Sequence, residues 1–243
     1  MIGDDDFAAV KAHPAADVAA SAVDAVASRR SVRGFLADPV PGELVRHLLD
    51  VSARAPSGTN MQPWTGHVVM GDTLRQLTEA VVAVAMSDNG RQGYDRQYKY
   101  YPDEFFEPFV SRRRTVGFGL YDLVGIAKGD RARMREQGAR NYTFFDAPVG
   151  LIFTIDKRLE IGSWLDYGMF LENFCTAARQ YGLHTCAQAA WPTYHQVVRP
   201  ILAIPDGHTL VCGMALGYED TSRPENALRT DRVSASEFMT WHD

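Results

Sequence analysis

Two periods of apolar spacing alternate along this chain, and the changes of period mark its elements. Val18, Ala22, Val23 and Val26 fall near helical spacing and predict a helix over 17–28. Leu44, Leu48, Leu49 and Val51 give a second helix an apolar stripe. Pro41 suits its first turn, Glu43 complements its dipole, and Pro56 ends it. A short strand is expected over 65–70, then a helix capped by Asp72 and running to about 86. Two more helices are expected over 112–128 and 130–145. The unbroken apolar run VGLIFTI at 149–155 predicts a central strand. A long helix over 163–181 carries Leu165, Met169, Phe170, Phe174, Ala177 and Ala178 as a broad buried face, and Gly182 stops it. A strand over 183–188, a helix over 193–202 and a core strand over 210–217 complete the pattern.

Strands separated by runs of helices, without regular βαβ alternation, predict an α+β fold. At 243 residues the chain suits one domain, and no internal repeat divides it. Residues 1–16 read as a loose, flexible leader. Residues 87–108 are polar and aromatic, with glycines and prolines and no clean period. They are longer than most loops and predict a lid or pocket wall; with the helices that follow, the insertion spans 87–147. After Gly217 the chain turns polar, yet it ends in Phe238, Met239 and Trp241. Residues 218–243 are therefore expected to form an arm whose apolar tip docks on another subunit.

The net charge of −5 gives no global attraction to nucleic acid or an anionic membrane, so any anion site must be a local basic cluster. The three cysteines form no CxxC, which suits reduced thiols in the cytoplasm. The acidic N-terminus does not read as a signal peptide, and no run approaches the roughly 18 apolar residues of a membrane helix. The seven histidines have no metal-binding spacing. There is no GxGxxG after a strand, and no GxxxxGK[ST], HExxH or GxSxG.

Three segments carry candidate chemistry. RRSVRGF at 29–35 packs Arg29, Arg30, Ser31 and Arg33 into five positions. Guanidinium forks bind phosphate and other planar anions through short, charge-assisted hydrogen bonds. Standing alone, the same residues also suit a solvated basic turn. APSGTNMQPW at 55–64 places Pro56, Ser57, Gly58 and Asn60 in a tight loop, which alone reads equally as a helix-terminating turn. TCAQAAW at 185–191 puts the small residues Ala187 and Ala189 around Gln188 at a strand end, otherwise an ordinary junction.

The ordered pair of the first two segments resembles the FMN-dependent nitroreductase family. The resemblance implies a small, mainly antiparallel sheet wrapped by helices, in an intertwined homodimer with FMN at the interface and crossing C-terminal arms. It implies that Arg29, Ser31 and Arg33 contact the flavin phosphate, ribityl chain and pyrimidine edge, with Arg30 beside them. It implies that the loop of Pro56, Ser57, Gly58 and Asn60 reaches the flavin bound mainly by the other subunit. Ala187, Gln188 and Ala189 would lie against the flavin edge, with a backbone N–H toward its N5 and the Gln188 amide on the ring system. Arg232, with Arg229 as a second contact, would bind phosphate. The flavin carries the chemistry, so no catalytic side chain is required. NAD(P)H would reduce it and an aromatic acceptor, a nitroaromatic above all, would reoxidise it in a ping-pong cycle. Tyr98, Phe118, Tyr121 and Arg114 are the candidate substrate wall. Two other readings stay open: a same-fold flavoprotein acting on enones or halophenols, and a flavin-binding redox protein without fast turnover.

Overall fold

A computed structural model describes residues 4–242. The sheet has four strands: β1 (Thr65–Met70), β2 (Val149–Asp156), β3 (His184–Gln188) and β4 (His208–Gly217), in the order β1-β2-β4-β3, every neighbouring pair antiparallel. The strand predicted from an unbroken apolar run, β2, and the expected core strand, β4, are the central pair and are buried almost throughout. Helices cover both faces. On one, Leu151, Phe153 and Ile155 pack with α3 (Gly42–Ser52) and α7 (Ile161–Arg179). On the other, Ile152 packs with α4 (Gly71–Ala85) and α8 (His195–Leu202). This division follows the two-residue side-chain period of β2.

Two glycines let aromatic rings lie flat on the central strands. A Cβ on Gly150 would stand 2.6 Å from the Phe144 ring, and one on Gly213 would stand 2.1 Å from Trp191. The two rings stack on each other with centroids 4.4 Å apart.

Several expectations need correction. Residues 4–16 are not a loose leader. A 3-10 turn over Asp4–Phe7 and the short α1 (Ala8–Lys11) carry Phe7 and Val10 into the core, where Phe7 meets Tyr181 edge-on at 5.7 Å. Residues 1–3 of the expected leader lie outside the described residues. The first long helix, α2 (Ala22–Ser28), begins five residues later than its apolar pattern suggests. Ser21 caps it by accepting from the Asp24 N–H at 3.1 Å, while Asp17 is drawn to Arg179 at 2.6 Å. Its valines face outward: Val23 is 79% and Val26 59% exposed. On α7, Leu165 is 71% exposed rather than buried.

The helix expected over 130–145 divides into α6 (Arg131–Ala139) and a 3-10 stretch, Arg140–Asp146. Left-handed φ at Phe144 and Phe145 turns the chain so that both rings are buried. Before it, α5 (Phe109–Leu123) buries no residue. A one-turn α9 (Ala235–Phe238) closes the chain behind a Ser234–Glu237 capping box. Among the described residues no helix is long and apolar enough to cross a membrane.

Candidate active site

Extended backbone at Arg29 ends α2 and turns the basic segment alongside β3. Val32 donates its N–H to the Thr185 carbonyl at 3.2 Å, and Ser31 bridges Thr185 in parallel. The three guanidiniums then part company. Arg29 pairs with Glu172 of α7 at 3.3 Å. Arg30 pairs with Glu219 and donates to the Asn226 carbonyl, so it is held by the protein itself. Arg33 donates only to the Ser31 carbonyl at 3.1 Å and, among the described residues, has no carboxylate at ion-pair distance.

Asn226 fixes the segment from behind. Its Oδ1 accepts from the Arg33 N–H at 2.7 Å, and its Nδ2 donates to the Gly34 and Asp220 carbonyls. Arg229 donates to the same Asn226 carbonyl as Arg30, at 2.7 Å. Beneath them His184 is almost fully buried and accepts from Arg179 at 2.9 Å. Burial first, then the guanidiniums of Arg179, Arg30 and Arg229, push its pKa down to about 3. A neutral imidazole under the cluster adds no further positive charge to it.

The far end of β3 opens into a cleft of about 890 Å³. Ala187, Gln188 and Ala189 form one part of its wall; Tyr98, Trp164 and Tyr167 form others. Ala187 is exposed there. The Gln188 side chain is buried and has partners at both ends: Nε2 donates to the Asn141 carbonyl at 2.5 Å and Oε1 accepts from Trp191 at 3.3 Å. These two bonds lock the strand end, with Gln188 still in the cleft lining. Tyr98 donates to the Val211 carbonyl at 2.5 Å, and its ring lies 4.7 Å from that of Trp164. Burial raises the Tyr98 pKa, so the phenol stays protonated.

Of the four residues expected in the substrate wall, only Tyr98 lines this cleft. Phe118, Tyr121 and Arg114 sit on α5, and none of them borders it. The α5 helix instead packs toward the C-terminal segment, with Leu228 against Gly119. Trp164, Tyr167 and Leu171 were missed as lining residues. Their signal was an i, i+3, i+7 stripe on α7, which the buried face expected on that helix did not include.

The 56–60 loop docks elsewhere on α7. The Gly58 N–H donates to Asp166 at 3.0 Å, and Ser57 Oγ accepts from the Gln62 N–H at 3.0 Å. Left-handed φ at Thr59, Asn60 and Gln62 tightens the turn. Pro56, Gly58 and Asn60 are exposed, and the loop does not border its own chain's cleft. Arg232 bonds only locally, to Thr230 and the Asp231 carbonyl. It lines a groove of about 590 Å³ with Arg112, Arg229 and Glu237, whose lining does not include residues 29–33.

The Nitroreductase family model matches residues 26–218. The chain is similar to the nitrobenzene nitroreductase of Ectopseudomonas oleovorans, 39% identical over 218 residues that make up 90% of this chain and 95% of that protein. It is also 39% identical, over 229 residues, to a 4-nitrobenzoate reductase of Nocardioides sp. (strain LMS-CY), covering 93% of this chain and 92% of the other. Among solved structures, the FMN and NADPH-dependent nitroreductase NfnB of Sphigopyxis sp. strain HMH superposes with a TM-score of 0.87 at 36% identity, covering 92% of this chain and 99% of that one.

Proposed function

The chain belongs to the nitroreductase family, and on that premise we propose that it is an FMN-dependent oxidoreductase passing two electrons from NAD(P)H to a nitroaromatic acceptor. Reductant and acceptor would use one pocket in turn. FMN, when bound, supplies the two-electron redox chemistry. One observation carries the reading: the basic segment lies alongside β3, whose other end opens into the cleft. Ser31 is bridged to Thr185, and Ala187 stands two residues, about 7 Å of strand, further on.

The residues present fit such a group. Arg33 offers guanidinium donors that no carboxylate among the described residues neutralises, Ser31 adds a hydroxyl, and Arg29 is half-buried beside them. These would hold the phosphate, the ribityl chain and the pyrimidine edge. Arg30 and Arg229 act through Asn226, setting the position of the Arg33 backbone. Ala187 and Ala189 leave room for a ring to approach the strand backbone closely. Tyr98 and Trp164 give a flat acceptor aromatic faces to stack on and exclude water.

The homodimer belongs to this proposal. The exposed 56–60 loop is free to reach a second subunit's cleft, bringing Pro56, Ser57, Gly58 and Asn60 to it. Val23, Val26, Ile161 and Leu165 are exposed apolar residues that a partner would cover. Phe238, Met239 and Trp241 give the 218–243 arm its apolar tip, and Arg232 would travel with it to the partner. Three free, buried thiols suit a cytoplasmic protein.

The test is the visible spectrum of the purified protein under anaerobic titration. Flavin bands that NADPH bleaches and nitrobenzoate restores are the expected result. Bands that return only with an enone or a halophenol would keep the cofactor and overturn the acceptor. A colourless protein that takes up no added FMN would overturn the whole reading.

A further inference from the structure

The cleft at the end of β3 has a wall of rings that grades from core to solvent. Tyr167 is buried, Trp164 and Tyr98 are half-buried, and Tyr100 and Tyr101 are exposed. Four of these rings touch in succession. The Tyr98 ring lies 4.7 Å from that of Trp164 and 6.3 Å from that of Tyr100. Tyr100 meets Tyr101 edge-on at 4.6 Å. The row therefore runs from half-buried Trp164 out to the rim. At about 890 Å³ the cleft is near the top of the range for small-ligand sites, roughly 300–1,000 Å³. A single benzene ring stacked on Trp164 or Tyr98 leaves the outer two tyrosines without a partner.

The same lining is poor in positive charge. Among the described residues it includes no arginine and no histidine, and its one lysine, Lys99, pairs with Asp103. Glu160 also lines the cleft and forms no ion pair among the described residues. Burial raises the pKa values of Tyr98 and Tyr100 and pushes the Cys212 thiol up to about 12, so these lining groups are neutral at ordinary pH. A carboxylate carried into the cleft finds no unpaired cation in this lining and meets the charge of Glu160, an element that works against anions.

We propose that the cleft selects an uncharged nitroarene of two or more rings, with the ring remote from the nitro group against Tyr100 and Tyr101. Aromatic faces supply contact area along the whole row without any charged partner. The proposal rests on the reaction proposed above and names the class of acceptor that reaction takes. A short or carboxylated nitroarene is still an acceptor, but a poorer one.

The experiment has a binding arm and a kinetic arm. Quenching of protein fluorescence measures binding of three nitriles that stand in for acceptors: 4-cyanobiphenyl (long, uncharged), benzonitrile (short, uncharged) and 4-cyanobenzoate (short, anionic). The expected order of affinity is the order given. The kinetic arm compares kcat/KM for 4-nitrobiphenyl, nitrobenzene and 4-nitrobenzoate as ratios, so that loss of folded enzyme and differences in intrinsic reducibility cancel between variants. Tyr100→Ala/Tyr101→Ala should lower the ratio of 4-nitrobiphenyl to nitrobenzene about fivefold to fiftyfold. Tyr100→Phe/Tyr101→Phe should keep that ratio, because the rings and not the hydroxyls make the contact. Glu160→Gln should raise the ratio of 4-nitrobenzoate to nitrobenzene about twofold to fivefold at low salt. An unmoved ratio in the alanine or the glutamine variant would overturn the proposal, as would tightest binding by benzonitrile or 4-cyanobenzoate. If the protein reduces no nitroarene, the proposed function fails, while the order of the nitriles still decides what the cleft selects.

Discussion

On one wall of the cleft Tyr167 is buried in the core and donates its hydroxyl to two carbonyls, Thr65 at 2.6 Å and Thr154 at 3.1 Å. On the other, residues 97–98 hang on β4 by single bonds: Tyr98 to the Val211 carbonyl, and Gln97 accepting from the Leu210 N–H at 2.9 Å. Further along that side, α5 buries nothing. The core-side wall, with the basic segment behind it, holds its polar atoms through hydrogen bonds from several elements. The insertion side has few such ties. A group that must stay bound through every turnover needs the first kind of wall. Acceptors that come and go can be met by the second, which tolerates change at low cost in stability.

Substitutions separate the two sides by size of effect. Trp191→Ala empties the flat seat on Gly213 and should cost about 3–5 kcal/mol of stability, read from urea unfolding. A loss under 1 kcal/mol would show that the core-side wall is not anchored as described. Arg33→Ala should weaken FMN binding by about 1.5–3 kcal/mol, measured by flavin fluorescence titration. Unchanged affinity would remove Arg33 from the cofactor site.

Acid should act on the same side. His184 titrates near 3 in the folded chain and near 6.5 when unfolded. Below pH 6.5 the unfolded state therefore binds the extra proton first. The stabilisation is complete above pH 6.5 and is lost as pH falls toward 3, at up to about 1.4 kcal/mol per pH unit. Between pH 7 and pH 5 wild type should lose about 2 kcal/mol more than His184→Gln does; parallel losses would exclude this source. The smallest effect is expected from Phe118→Ala on α5, within about 0.5 kcal/mol in stability, because the ring is 55% exposed.

Period and composition located most elements because β2 and β4 are buried on both faces and α3 on one. The expected strand over 65–70 matches β1 residue for residue. What period cannot say is whose surface covers an apolar stripe. Val23, Val26 and Leu165 satisfy helical spacing yet face away from their own core. The basic segment was visible because its guanidiniums fall within five positions, but the partners that divide their work are far away in sequence. Glu219 takes Arg30 out of ligand reach from 189 residues on, and no local pattern reports it. The tie from Gln188 to Asn141 was hidden for the same reason: the two lie on different elements.

The tie between Asn226 and the basic segment also sets an order of events during synthesis. Arg33 receives its backbone acceptor from a residue 193 positions later, and Gly34 receives a donor from the same side chain. Neither bond can form before the ribosome has made residue 226. Arg30 waits likewise for Glu219, and until Asn226 is made the segment lacks the tie that fixes it from behind. The anion cradle is thus completed only once residue 226 is made, and a chain released before residue 219 leaves Arg30 and Arg33 without a carboxylate, for other polyanions in the cell to find.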